Sequence, residues 1–173
     1  MGCIRRRMLI TTEYIELNKQ MHRSCPTYGT TGNKWSTKVL KLANTHGTLD
    51  VLDYGCGKST LASSLPFPIS QYDPGIPEHS DIPQPADIVV CTDVLEHIEP
   101  DCLDAVLADI RRLMKVAGVI SISTHRASKE LPDGRNAHLI QKPGDWWLDK
   151  LKPLFTVDSV IENHGRLVSV LVS

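Results

Sequence analysis

Apolar residues follow two spacing patterns along the chain. The alternation of these patterns predicts layers of strands and helices. Short, almost continuous apolar runs are typical of strands buried in a parallel sheet, and they occur at residues 49–54, 69–72, 87–92 and 119–124. Apolar residues three and four apart predict helices at residues 11–22, 34–45, 59–65 and 102–115, and from Pro143 onward. Strands that alternate with helices favour an α/β fold on a mostly parallel, twisted sheet.

The ends of this predicted sheet differ from its centre. Residues 155–161 and 167–172, joined by the turn 162–165, predict a C-terminal antiparallel hairpin with one reversed strand, which brings the sheet to about six strands. Four prolines lie in the twelve residues from 74 to 85, so no full helix fits there. We therefore expect the fold to be trimmed between its second strand and the strand at 87–92.

Single residues predict where helices begin and end. Gly47 stands where the second helix should stop, and Gly118 where the helix at 102–115 should stop. Asp101 is expected to cap that helix, and Pro143 is expected at the first position of the last one.

Length and composition limit the organisation of the chain. With 173 residues, 41% of them apolar, it can form one sizeable core but not two. We divide it into N-terminal helices with a lid-like loop (residues 1–47) and an α/β domain (residues 48–173), which together form one compact unit. No apolar run approaches the roughly 18 residues that a membrane span needs. We expect a cytoplasmic protein without a membrane partner, monomeric or homodimeric.

Charge and cysteine content exclude some partners and sites. A formal net charge of −1 argues against a broad nucleic-acid-binding surface, although Arg5 to Arg7 form a small basic cluster. Five scattered cysteines without a Cys-x-x-Cys pair argue against a disulfide framework and a thiolate zinc site.

Acidic residues follow three of the predicted strands. Asp53 leads into a turn with Gly55 and Gly57, where missing side chains let backbone N–H groups approach a ligand at a helix N-terminus. Asp73 ends the next strand about twenty residues later, where an acid can accept both hydroxyls of an adenosine ribose. Asp93 follows the strand at 87–92. Because ligands bind beyond the carboxyl ends of strands in an open α/β sheet, we expect these acids around one site.

The segments at residues 53–57, 72–73 and 92–97 together resemble the motifs of the class I S-adenosylmethionine-dependent methyltransferases, including small methyltransferase-like proteins of bacteria and their viruses. The resemblance covers about residues 48–172 and implies a Rossmann-like fold. It implies that the glycine turn cradles the methionine portion of the cofactor, that Asp73 holds the ribose, and that the segment around Asp93 borders the transferred methyl group. Ser59 stands where the family often has a third glycine.

The resemblance and the loop that precedes the sheet together define a predicted set of cofactor-binding residues. The set consists of Tyr28, Asp53, Tyr54, Gly55, Cys56, Gly57, Tyr72, Asp73, Pro74, Thr92, Asp93 and Val94. The loop at residues 28–35, which contributes Tyr28, is expected to act either as a lid or as a plain connector.

Methyl transfer is an in-line displacement at a carbon that a sulfonium already activates. The enzyme supplies alignment, desolvation and, for some acceptors, a base. The candidate catalytic residues are His97, His138 and Asp93, and histidine is favoured because its pKa lies near neutrality. The acceptor is expected to be an oxygen or nitrogen of a small molecule or of RNA, while a carbon atom, a lipid-linked sugar and a protein stay open as acceptors.

The spacing Asp93-x-x-Glu96-His97 with the later His138 also resembles ubiquinone-pathway O-methyltransferases and small-RNA 3′-terminal 2′-O-methyltransferases. Those enzymes use a divalent metal, and the resemblance implies Mg or Mn held by Asp93, Glu96, His97 and His138. Similar Glu-His segments occur in family members without metal, so both interpretations stay open.

Two other functions compete with methyl transfer. Residues 57–60, Gly-Lys-Ser-Thr, match the end of a phosphate-binding P-loop and suggest an ATPase or kinase, but that motif requires glycine at position 52, where Leu52 lies in a strand. The other alternative is a cofactor-binding module without catalytic activity.

Overall fold

The computed structural model describes the backbone of residues 8–173 and the side chains in that range except those of residues 163 and 164, so the basic cluster Arg5 to Arg7 lies outside the described residues. The helices are α1 (Thr12–Ser24), α2 (Ser36–His46), α3 (Thr60–Ser64), α4 (Leu103–Leu113) and α5 (Gly144–Leu151). The strands are β1 (Val51–Tyr54), β2 (Ser70–Tyr72), β3 (Ala86–Thr92), β4 (Met114–Ser123), β5 (Val157–His164) and β6 (Leu167–Val172). Single 3₁₀ turns lie at Gly32–Trp35, Pro77–His79, Leu95–His97 and Pro100–Cys102.

The six strands form one sheet in the spatial order β2-β1-β3-β4-β6-β5. The first four pair in parallel, and β6 runs antiparallel to both neighbours, β4 and β5. This confirms the predicted α/β fold with a mostly parallel sheet and a C-terminal hairpin. Because the chain passes from β1 to β2 and then back across β1 to β3, the strand order reverses there and opens a crevice at the carboxyl ends.

Helices cover both faces of the sheet. On one face, α4 and α5 pack apolar side chains such as Ile110 and Trp147 into a core with β1, β3, β4 and β6. On the other face, Val39 of α2 and Leu61 of α3 pack against β1, β3 and β4. The central strands are therefore buried on both sides, which explains their continuous apolar runs. Between β2 and β3 the only regular element among the described residues is the 3₁₀ turn Pro77–His79, as the prolines predicted.

The boundary between α4 and β4 differs from the prediction. The helix ends at Leu113 and the strand begins at Met114, so Gly118 lies inside β4 and does not end the helix. Strand pairing is the reason: Gly118 is the partner of Val89, and a β-carbon on Gly118 would lie 2.7 Å from the Val89 carbonyl oxygen. The close approach of two strands requires this glycine.

The predicted starts of two helices are also wrong in detail. Asp101 lies within a 3₁₀ turn, and α4 has Cys102 at its N-cap without a side-chain capping bond. Pro143 is itself the N-cap of α5, one residue before the first helical position. Gly47 ends α2 as expected, with a φ of +64°.

α1 packs against the loop that follows β3. The Tyr14 hydroxyl donates to the His97 carbonyl oxygen at 2.6 Å, and the Thr11 N–H and hydroxyl both donate to the Glu99 carboxylate at 2.8 Å. These bonds hold the N-terminal helix beside the crevice. Within residues 8–173 no helix is long and apolar enough to cross a membrane.

Candidate functional site

A cavity of about 300 Å³ lies at the crevice beyond the carboxyl ends of β1, β2 and β3. Its wall is formed by α1 and the loop after it, by the turn after β1, and by the segments after β2, β3 and β4. These parts contribute, among others, His22, Tyr28, Gly57, Asp73, Asp93 and His138. The cavity thus brings together segments that are far apart in the sequence, at the place where open α/β sheets bind ligands.

The glycine turn after β1 touches the loop between α1 and α2. Gly55 and Gly57 have φ angles of +82° and +53°. A β-carbon on Gly57 would lie 2.6 Å from the Gly29 carbonyl oxygen, and one on Gly55 would collide with the Val94 side chain. Both positions therefore require glycine for conformation and for space. Ser59 also has a positive φ of +60°, the conformation that a third glycine would adopt freely.

The Asp73 carboxylate connects the glycine turn with the segment after β2. Its Oδ2 accepts the Gly57 N–H at 3.0 Å, and its Oδ1 accepts the Gly75 N–H at 2.9 Å. A carboxylate has about four acceptor positions, so each oxygen keeps capacity for one more donor. Asp73 thus combines a fixed orientation with free acceptor capacity, which is what a ribose-binding acid needs.

Asp53 is close to the cavity but is not on its wall. It leaves β1 beside the end of β2, where Tyr54 pairs with Tyr72, and it is only 4% exposed. Burial and repulsion from Asp73 raise the pKa of Asp53 to about 7. Its influence on a ligand is therefore expected to be electrostatic, through a carboxyl group that titrates near neutral pH.

The other predicted cofactor residues divide into two groups. Tyr28, Pro74 and Val94 line the cavity. Cys56 and Thr92 are buried and do not line it.

Tyr54 and Tyr72 border the cavity, but their side chains mainly serve the core. Their rings pack together with centroids 5.0 Å apart, and the Tyr54 hydroxyl donates to Asp109 of α4 at 3.2 Å. Only part of each tyrosine is thus available to a ligand.

Asp93 is held in an unusual conformation at the end of β3. Its φ is +55°, in the left-handed region that costs a non-glycine residue about 1–2 kcal/mol. Its N–H donates to the Ser121 carbonyl oxygen at 3.0 Å, and its Oδ2 accepts the Thr31 hydroxyl at 2.6 Å. Such conformations persist where the surroundings fix them, and they are enriched at functional sites. The bond from Thr31 places the predicted lid beside the cavity, and its role as a lid stays a prediction.

Glu96, His97 and His138 form a cluster in which three ligand atoms lie within 4.8 Å of one another. Nδ1 of His97 lies 2.7 Å from the Ala137 carbonyl oxygen, and Nδ1 of His138 lies 2.6 Å from the His125 carbonyl oxygen. A carbonyl oxygen only accepts, so both neutral imidazoles carry their proton on Nδ1 and keep a lone pair on Nε2.

Glu96 completes this cluster from a fully buried position. Its Oε1 accepts the Ser123 N–H at 2.8 Å, whereas its Oε2 is buried without a hydrogen-bond partner. Asp93, the fourth residue of the predicted metal set, is not part of the cluster, and its carboxylate is engaged by Thr31.

Burial keeps the cluster uncharged near neutral pH. Burial, followed by the nearby Asp93, raises the pKa of Glu96 to about 8. Burial, followed by the nearby His138, lowers the pKa of His97 to about 3, and burial also lowers the pKa of His138. At neutral pH the two histidines therefore offer lone pairs rather than positive charge, and Glu96 is mostly protonated.

The contribution of α1 to the cavity wall was not predicted from the sequence. Tyr14, Asn18 and His22 all line the cavity and lie four residues apart on one side of the helix. That polar stripe was visible in the sequence beside the apolar one. Only the docking of α1 shows that the stripe faces a cavity.

The fold is shared with solved methyltransferases of low sequence identity. The 1,6-didemethyltoxoflavin-N1-methyltransferase of Burkholderia thailandensis is 15% identical with a TM-score of 0.59, over 92% of this chain and 88% of that one. The N-methyltransferase NodS of Bradyrhizobium japonicum WM9 is 13% identical with a TM-score of 0.59, over 92% and 96%. The magnesium protoporphyrin IX methyltransferase of Synechocystis PCC 6803 is 15% identical with a TM-score of 0.55, over 97% and 90%. These three structures contain S-adenosylhomocysteine. Comparison with curated protein sequences gives no match.

The crevice at the strand ends thus lies in a fold that these solved methyltransferases share. Residues 27–160, more than half of the chain, match the methyltransferase domain family. The chain belongs to this family, which confirms the class I methyltransferase interpretation of its sequence. The match also favours methyl transfer over the ATPase or kinase alternative.

Proposed function

We propose that the chain transfers a methyl group from S-adenosylmethionine to an oxygen or nitrogen of a small-molecule acceptor. The proposal rests on the observation that two kinds of functional group line the same cavity. Asp73 and the glycine turn suit an adenosyl ligand, and the Nε2 atoms of His97 and His138 suit a nucleophile that must lose a proton.

The protein's part in this reaction is mainly alignment. The acceptor atom attacks the methyl carbon in line with the carbon–sulfur bond, which breaks as the new bond forms, and the sulfonium becomes a neutral thioether. An acceptor hydroxyl would release its proton to Nε2 of a neutral histidine. His138 is the better base, because a pKa of about 3 makes His97 a weak one.

A small acceptor fits the position of these groups better than an RNA does. His138 is 9% exposed and Glu96 is fully buried, so a reacting atom must enter the cavity to reach them. The net charge of −1 supplies no general attraction for a polyanion. An RNA could present only a terminal nucleotide, which is the alternative that an activity assay with RNA would detect.

As an alternative to a histidine base, Glu96, His97 and His138 fit a divalent metal ion, which would occupy the Nε2 lone pairs of both rings. One ligand atom from each of the three residues lies within 4.8 Å of the others, and both histidines are oriented through Nδ1 by carbonyl oxygens. Oε2 of Glu96 otherwise lacks a partner, and its carboxyl group would lose its proton on binding the ion. Two imidazole ligands suit Mn²⁺ better than Mg²⁺. Such an ion, when bound, would lower the pKa of an acceptor hydroxyl.

Calorimetric titration tests the cofactor assignment. We expect wild-type protein to bind S-adenosylmethionine and S-adenosylhomocysteine but not ATP, and Asp73→Asn to lose most of that affinity. Asp149→Asn, on an exposed side chain of α5, is the matched control. Binding of ATP alone, or equal affinity of wild type and Asp73→Asn, would contradict the proposal.

Methylation assays then separate an enzyme from an inactive cofactor-binding module. Labelled S-adenosylmethionine is incubated with pools of small hydroxyl and amine compounds and, separately, with RNA. Label in a small compound supports the proposal, and label in RNA alone contradicts the small-molecule assignment.

Chelator treatment followed by Mn²⁺ titration addresses the metal. Saturable Mn²⁺ binding that Glu96→Gln abolishes supports the metal site. Undiminished binding in Glu96→Gln contradicts it.

A further inference from the structure

His22, in the last turns of α1, reaches the carboxylate that the proposed function assigns to the cofactor ribose. Its Nε2 lies 4.0 Å from Oδ2 of Asp73, and its side chain is only 11% exposed. The imidazole is held in place by an edge contact with Tyr28, with ring centroids 4.9 Å apart. It is also packed so closely on Gly29 that a β-carbon there would lie 2.8 Å from Cε1. His22 is thus a fixed part of the cavity wall.

The imidazole has hydrogen-bonding capacity that the protein does not use. A separation of 4.0 Å is too long for a direct hydrogen bond to Asp73. Nδ1 is buried and has no partner among the described residues. Burial lowers the pKa of His22, so the ring is neutral near pH 7, with one nitrogen to donate and one to accept. Nε2, which faces Asp73 across that distance, is the nitrogen that a ligand between the two groups can pair with.

The gap between His22 and Asp73 has the dimensions of a hydroxyl group. An oxygen placed about 2.8 Å from each of two atoms that are 4.0 Å apart makes a good hydrogen bond with both. Asp73 can only accept, and a neutral imidazole can donate through Nε2. A hydroxyl satisfies both at once, because it donates to the carboxylate and accepts from the imidazole.

A vicinal diol fits this arrangement better than a single hydroxyl. Oδ1 of Asp73 receives only the Gly75 N–H and keeps capacity for a second hydroxyl beside the first. Two hydrogen bonds fix the carboxylate plane: Oδ2 accepts the Gly57 N–H, and Oδ1 accepts the Gly75 N–H. Both oxygens can therefore accept from adjacent hydroxyls at the same time.

We propose that His22 and Asp73 form a clamp for the ribose diol of the adenosyl cofactor, in which His22 donates to the hydroxyl that Oδ2 of Asp73 accepts. The proposal rests on the proposed function and extends it. It makes α1 a contributor to cofactor recognition, because His22 of α1 and Asp73 at the edge of the sheet then bind the same ribose.

The test is calorimetric titration of S-adenosylhomocysteine and its 2′-deoxy and 3′-deoxy analogues. The proteins are wild type, His22→Ala and His46→Ala. His46 is exposed at the end of α2 and does not line the cavity, so His46→Ala controls for the loss of a histidine. We expect His22→Ala to bind S-adenosylhomocysteine about 5- to 20-fold more weakly, as for one buried hydrogen bond, and His46→Ala to match wild type. The deoxy analogue that lacks the clamped hydroxyl should bind wild type and His22→Ala equally.

The outcomes separate this inference from the proposed function. Equal loss in His22→Ala for all three ligands would overturn the clamp, because His22 would then act on another part of the cofactor. Unchanged affinity in His22→Ala would overturn it as well. Failure of wild type to bind S-adenosylhomocysteine would instead contradict the proposed function. Should alanine prevent folding, His22→Phe keeps a ring and removes both nitrogens, with the same expected pattern.

Discussion

A methyl group added at Gly57 tests the contact between the glycine turn and the loop after α1. In Gly57→Ala the new β-carbon would meet the Gly29 carbonyl oxygen at 2.6 Å and the Gly29 Cα at 2.8 Å, both backbone atoms that cannot rotate away. The loop must therefore move, and the hydrogen bond from the Lys58 N–H to the Gly29 carbonyl oxygen, 2.8 Å long, must break.

The structure supplies a matched control for this substitution. Gly47 ends α2 with a φ of +64°, close to the +53° of Gly57, but a β-carbon there would meet nothing within 4 Å. Alanine in the left-handed region costs about 1–2 kcal/mol at either position. The steric collision adds about 1–3 kcal/mol at Gly57 alone. The expected loss of unfolding free energy is thus about 2–5 kcal/mol for Gly57→Ala and about 1–2 kcal/mol for Gly47→Ala.

Urea denaturation measures these losses, and titration with S-adenosylhomocysteine measures their effect on the site. We expect Gly57→Ala to weaken cofactor binding by at least about tenfold, or about 1.4 kcal/mol, and Gly47→Ala to leave it unchanged. Equal destabilisation by the two substitutions, together with unchanged affinity in both, would refute the argument that backbone contact with the loop shapes the cofactor site.

Two further predictions concern Asp53 and Tyr14. Since burial and Asp73 raise the pKa of Asp53 to about 7, affinity for the cationic cofactor should fall as the pH drops from about 8 to about 6, and Asp53→Asn should remove that dependence. The folded chain also binds more protons than the unfolded chain between about pH 4 and about pH 7, so the contribution of Asp53 to stability falls as pH rises through that window. In urea titrations, the stability of Asp53→Asn relative to wild type should therefore rise as the pH rises through that window. The opposite trend would contradict the raised pKa of Asp53. Tyr14→Phe deletes the bond to the His97 carbonyl oxygen and should cost about 1–2 kcal/mol in urea titrations, whereas no measurable cost would show that this bond does not hold α1 in place.

The sheet could be predicted because its strands carry a strong local signal. β3 is buried on both faces, so its sequence is continuously apolar, and the turn at Gly55 and Gly57 interrupts the pattern where backbone must approach another segment. The position of Asp73 could be predicted in the same way, because the residue after a parallel strand lies at the ligand-binding edge of the sheet. These features depend on neighbours in the sequence, which is why the sequence reveals them.

The partner that a side chain contacts at a strand end depends on which element packs against that face of the sheet. Leu52 and Tyr54 alternate onto the face covered by α4, where Tyr54 meets Asp109, a partner 55 residues away. No local pattern in the sequence specifies that partner, and the cofactor role of Tyr54, which also borders the cavity, stays a prediction. Gly118 was misplaced for a similar reason, since the strand that requires its small size is β3.

His22 escaped prediction because its role depends on how α1 docks. In the sequence it is a polar residue on a surface helix, which is ordinarily solvated. The bonds from Thr11 and Tyr14 to the segment after β3 turn that side of the helix toward the cavity.

In the proposed complex, one crevice holds an adenosyl cofactor between Asp73 and the His97–His138 pair. A crystal structure of the complex with S-adenosylhomocysteine tests it most directly. We expect the ribose hydroxyls within hydrogen-bond distance of the Asp73 carboxylate, and the thioether sulfur on the side of the cavity that His97 and His138 line. A ligand bound elsewhere, or a ribose away from Asp73, would contradict it.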